Sequence, residues 1–144
     1  MKVKRTERGW GGHFICCYDC LFRRNTLLEY ADKKVVVSTV GAMYARDPSD
    51  ISGKKRLQTI GYKRFYETMV FMAKEENGYI EADTSKEIYL DSNWAIGGTD
   101  DAEEFIEAHP YADNEANDMH EAAVKEIEQK LINGTLKSHY EEGE

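Results

Sequence analysis

The sequence predicts an α+β domain: a mostly antiparallel sheet of about five or six strands with a long C-terminal amphipathic helix packed on it. Three observations carry this reading. Apolar and β-branched runs of strand length, punctuated by turn residues, fill the chain to about residue 96. Gly97-Gly98 then interrupts the pattern, and the composition turns acidic. Beyond Asn114, Met119, Ala123, Ile127 and Leu131 recur every fourth residue, which places them on one face of a helix. With 144 residues and 41% hydrophobic content, the chain can bury a core as one domain. We divide it into a basic β-rich part over about 9–96, an acidic helical part over about 99–134 and a loose tail over 135–144.

Residues 2–8 read as a mobile basic arm, and Gly9, Gly11 and Gly12 around Trp10 as a turn into a strand over about 13–18. Asn25–Tyr30 and Val35–Val40 form the clearest hairpin, with 31–34 as its loop, and the unbroken Val35-Val36-Val37 run predicts a central strand covered on both faces. Residues 45–56 are a polar loop marked by Asp47-Pro48 and Ser52-Gly53. The segment 57–74 alternates as a strand, although Lys63 to Ala73 also fits a helix. Asn77-Gly78 signals a hairpin turn, followed by strands at Tyr79–Asp83 and Glu87–Asp91. A short acidic helix spans 99–109 and stops before Pro110, because the residue preceding proline avoids helical geometry. The long helix ends at Gly134, the residue type best suited to a left-handed cap.

Charge divides the chain more sharply than hydropathy does. Residues 1–66 carry 14 lysines and arginines against 6 acidic residues, whereas 67–144 carry 5 against 21, giving the net charge of −8. Such asymmetry points to separate surfaces for different partners, while a solvated helix face that keeps the protein soluble is the plainer explanation. No apolar run approaches the length of about 18 residues that spans a membrane. The basic N-terminus runs into Gly-Trp-Gly-Gly-His rather than an apolar stretch, so we expect no export signal and reduced cysteines in a cytoplasm.

The stretch Gly9 to Tyr30 concentrates the reactive residue types. Cys17 and Cys20 have the C-x-x-C spacing of a zinc knuckle, and His13 is a third candidate ligand. A structural zinc site needs a second pair of ligands, which the sequence does not offer as a unit, so zinc stands as a candidate cofactor beside burial of the cysteines as small core residues. Redox chemistry requires C-x-x-C at a helix start, and Leu21-Phe22 onward reads as strand instead. Phosphate-cradling glycine loops and H-E-x-x-H are absent, and no catalytic residue is assigned.

Two binding surfaces remain. His13, Arg23, Arg24 and Asn25 could gather around a nucleotide or other phosphate-bearing ligand, in a small enzyme or a sequestering protein. Asp100, Asp101, Glu103, Glu104, Glu107, Glu115 and Asp118 could form an acidic protein-binding face.

Gly-Trp-Gly-Gly-His-Phe-Ile-Cys, Arg-Arg-Asn-Thr-Leu-Leu-Glu-Tyr, Val-Val-Val-Ser-Thr-Val-Gly, Arg-Phe-Tyr-Glu-Thr-Met-Val-Phe and Asn-Asp-Met-His-Glu-Ala together resemble a family of small uncharacterised proteins of tailed phages and prophages. The resemblance covers much of the chain and transfers no residue role. It implies a non-catalytic accessory protein in the cytoplasm of an infected bacterium, with a host-takeover or anti-defence role. A host protein is then the expected partner ahead of nucleic acid, with no membrane, and self-association is open.

Overall fold

The computed structural model describes residues 2–8 and 19–137. In chain order they form β1 (Lys4–Glu7), β2 (Cys20–Tyr30), β3 (Lys33–Arg46), β4 (Lys55–Gln58), β5 (Arg64–Glu76), β6 (Tyr79–Ile88), β7 (Ala95–Gly97), α1 (Ala102–Ala108) and α2 (Ala112–Asn133). The strands make one antiparallel sheet in the order β1-β2-β3-β5-β6. Its central strands are long enough to take two partners along one edge. Val35–Gly41 of β3 pair with β5, and Met43–Arg46 continue onto β4; β5 likewise pairs with β6 and then with β7. This is the α+β architecture expected, with the terminal helix on the sheet.

Several elements differ in detail from the sequence reading. The basic arm is not loose: Lys4–Glu7 pair in register with Thr26–Glu29, because an extended segment beside an open sheet edge satisfies its backbone groups there. The first hairpin is tighter than its four-residue loop. Tyr30 pairs with Lys33, and Ala31 takes a left-handed φ of 54° to close the turn. The polar loop shortens to 47–54, since β3 runs on to Arg46 and β4 returns beside it. Residues 57–74 contain the end of β4 and most of β5 and no helix, so pairing on both edges settles that ambiguity. The two strands expected over 79–91 are one, β6, with a register irregularity opposite Phe71 to Ala73. The expected strand over 13–18 falls outside the described residues.

Alternation along β3 explains the core. Val35, Val37 and Thr39 face α2, whereas Val36, Ser38 and Val40 face the opposite side, and all six are fully buried. On the helix side Leu28, Val35, Val37 and Val70 meet Ala123, Val124, Ile127 and Leu131 of α2. Each of the valine, leucine and isoleucine side chains contributes about 1.5–3 kcal/mol on burial. A second cluster, under the start of α2 and α1, joins Phe65, Tyr66, Ile96, Phe105, Ala116 and Met119. Gly134 caps α2 at φ 69°, and its N–H reaches the Leu131 carbonyl. No helix among the described residues is long and apolar enough to cross a membrane.

Candidate functional site

A groove of about 380 Å³ opens where β3 leaves β5 and the α1–α2 connection crosses above it. Ala42, Leu57, Tyr66 and Phe105 form its floor. Tyr66 lies flat there because Gly41 has no side chain: a Cβ on Gly41 would sit 2.2 Å from the tyrosine ring. The Tyr66 hydroxyl donates to Asp113 at 2.6 Å, and burial followed by that carboxylate pushes its pKa up, so it stays protonated. Phe105 stacks on Phe65 at 4.2 Å and on His109 at 4.8 Å, and His109 is held from the other side by Glu115 at 2.9 Å. Around the mouth stand Leu21 at 75%, Tyr111 at 73%, Ile106 at 51% and Tyr44 at 36% exposure. Four large side chains thus hold apolar surface exposed around one opening.

The acidic candidates of the helical region take different roles, and none of them lines the groove. Asp101 caps α1 by accepting the Glu104 N–H, Asp100 accepts the Lys63 N–H, and Glu104 accepts the Thr99 hydroxyl. Glu115 holds His109, while Glu103, Glu107 and Asp118 are exposed on the outer side of the helices. Part of the charge therefore builds the helix starts and the rest faces solvent.

The basic candidates separate. Strand alternation sends Arg23 and Arg24 to opposite faces. Arg24 joins Arg5, Glu7 and Glu121 in a network on the α2 side, with Arg24 Nη2 2.9 Å from Glu7. Arg23 is exposed, and Asn25 on its side is buried and accepts from Arg8 Nε at 2.8 Å. His13 and Cys17 lie outside the described residues. Cys20 is buried beside Val40, Met43 and Ile60 in an apolar environment.

Beneath α2 the structure holds a feature that motif reading passed over. His120 is fully buried, with Nε2 2.7 Å from the Thr26 hydroxyl and Nδ1 2.7 Å from the Thr39 hydroxyl. The protons can be assigned by counting. Thr26 donates to the Glu7 carboxylate at 2.8 Å, so it must accept from Nε2–H. With the imidazole neutral, Nδ1 is the acceptor for Thr39, which in turn accepts from Thr68 at 2.7 Å. The chain Thr68, Thr39, His120, Thr26, Glu7 then runs in one direction. Burial, then the Arg24 charge, lowers the His120 pKa to about 4, in agreement. The only sequence signal was position: His120 occupies the apolar stripe between Ala116 and Val124.

Glu7, His120 and Glu121 bring ligand atoms within 4.8 Å of one another. Both imidazole nitrogens are engaged, and Arg5 and Arg24 already supply the positive charge between the carboxylates. Burial alone would raise Glu7, but hydrogen bonds from Arg5 and Thr26 hold it below its usual range. We read the cluster as a structural tie between β1, β2 and α2.

Fold and groove together define a small α+β domain with an acidic helical cap and an aromatic opening at its edge. Compared with protein-family models, curated proteins and solved structures, the chain matches none.

Proposed function

We propose that the protein is a phage-type accessory protein that acts without catalysis in the bacterial cytoplasm, by binding a host protein in a host-takeover or anti-defence role. The observation that carries this reading is the groove: Leu21, Tyr44, Ile106 and Tyr111 hold apolar surface in water around one opening, and α1, which carries Ile106, also carries the exposed Glu103 and Glu107. Aromatic anchors in a concave patch with a charged rim are what protein interfaces use. The exposed acidic residues of α1 favour a partner segment that is basic and carries an apolar side chain for the groove. Nucleic acid is the weaker fit, because Arg5, Arg24, Arg56 and Arg64 are each matched to a carboxylate of this chain. The resemblance to phage and prophage proteins supports the setting.

The test is affinity capture from bacterial lysate with three baits: the native chain, Leu21→Ser with Tyr111→Ser, and Glu103→Lys with Glu107→Lys. The expected result is a discrete, basic partner on the native chain that both double variants lose. Identical captures on all three baits would sink the proposal.

A further inference from the structure

The sheet ends at β1, a strand of four residues whose side chains bury little. Lys4, Arg5 and Glu7 are exposed and Thr6 is half-buried. Apolar contact comes from Val3 just before the strand, packed at the rim of the helix-side cluster. The buried members of that cluster belong to β2, β3, β5, β6, α2 and Leu136, so the core does not need β1 in order to stay closed.

Charge is what fastens the strand. Glu7 accepts from Arg5 at 2.7 Å, from Arg24 of β2 at 2.9 Å and from the Thr26 hydroxyl at 2.8 Å, and Arg5 also reaches Glu121 of α2. Arg5, Glu7, Arg24 and Glu121 each keep between 23% and 49% of their side chain in water. Ion pairs so exposed are open to screening by dissolved salt. The chain just beyond β1 is held differently. The Arg8 N–H donates to the Asn25 carbonyl at 2.9 Å, its Nε to Asn25 Oδ1 at 2.8 Å, and its Nη1 to the Ile80 carbonyl of β6. These acceptors carry no net charge, and the side-chain bonds are partly buried.

We propose that β1 is an ion-latched strand: Lys4–Glu7 peel away from β2, pivoting on Arg8, while the rest of the fold stays closed. The bond from Arg8 to Asn25 fixes which groups are bared, because alternate residues of an antiparallel ladder face the same neighbour. Leu27 and Glu29 of β2 turn their backbone groups to β1, and Thr26 and Leu28 turn theirs to β3. His120 keeps its place on release, since the Thr26 hydroxyl can still accept from Nε2–H after Glu7 has left. Unpaired edge groups are where extended segments add to a sheet, so the latch sets whether this edge is closed or open. The device is separate from the aromatic groove and does not depend on it.

Amide hydrogen exchange of the whole chain, read residue by residue by NMR, tests the latch. Raising sodium chloride to about 1 M shortens the screening length to about 3 Å. Protection at Thr6, Leu27 and Glu29 should then fall about five- to tenfold, the scale of two or three partly exposed ion pairs. Arg8, Thr26, Leu28 and the core amides of Val36 and Ile127 should keep theirs, because local opening leaves them paired. Glu7→Gln should produce the same loss at low salt and show little further response to salt. Arg5→Gln removes the same network from its other side and should behave alike. Unchanged protection at Thr6, Leu27 and Glu29 in salt and in both variants overturns the proposal. So does an equal loss at Thr6 and Ile127, which would mean that β1 leaves only when the whole fold opens.

Discussion

At its middle, α2 places His120 on two threonine hydroxyls with no surface exposed; at its N-cap and on α1 before it, Tyr111 and Ile106 stand in water. The two regions invert the usual assignment of residue types. A polar ring is buried and each of its nitrogens is satisfied, while large apolar side chains among the described residues stay exposed. Buried polar groups hold a fold to one arrangement when all their partners are present. Exposed apolar groups contribute little to folding, and several gathered at one opening are the kind of surface that contacts with other molecules use. The difference separates a region that fixes the sheet against the helix from a region available for binding, and it makes opposite predictions for mutation.

The largest effect is expected at His120. His120→Ala removes a fully buried ring and leaves the Thr26 and Thr39 hydroxyls short of a partner, at a cost of about 3–4 kcal/mol. The native protein should also carry a pH signature there. His120 titrates at about 4 in the fold against 6.5 ordinarily, so between those values the unfolded chain binds a proton that the folded chain does not. Its contribution is complete above about pH 6.5 and is lost as pH falls toward 4, a change of about 3 kcal/mol. Urea midpoints at pH 7 and pH 4.5 check this. The native chain should lose more stability than His120→Ala across that interval, and equal losses would mean that the imidazole is not held neutral.

An intermediate effect is expected where the groove joins the core. Gly41→Ala puts a methyl group 2.2 Å from the Tyr66 ring and 2.8 Å from the Phe65 carbonyl oxygen. The ring must leave the groove floor, which breaks its bond to Asp113 and costs about 2–3 kcal/mol. Thermal melting measures the loss. A variant as stable as the native chain would show that Tyr66 is not held flat by packing, and the groove would then not be preformed.

These sites differ in how far the sequence disclosed them. Periodicity exposed the sheet and α2, because a half-buried strand and an amphipathic helix must repeat at 2 and 3.6 residues. The short strands β1, β4 and β7 have too few residues to show a period, and they exist only because a neighbour offers an open edge. The acidic face was visible as composition. The groove was not, since Leu21, Tyr44, Ile106 and Tyr111 come from four separate places and are joined only by the branching of β3 from β5. Arg23, Arg24 and Asn25 looked like one constellation in sequence, and strand alternation divides them between faces. His120 was legible only as a polar residue at a core position, without a sign of which strand hydroxyls would meet it.

The smallest stability effect is expected from the exposed rim, and it sharpens the comparison most. Leu21→Ser and Tyr111→Ser remove side chains that are about three-quarters exposed, so each should change stability by about 0.5 kcal/mol or less. Small gains are consistent with the argument, because exposed apolar surface does not favour the folded state. Near-native melting of both variants, together with loss of the captured partner, would separate binding from folding at single residues. A loss of about 2 kcal/mol or more at either position would instead show that these side chains already pack against this chain. The rim would then belong with His120 as structure, and the case for an outside partner at the groove would fall with it.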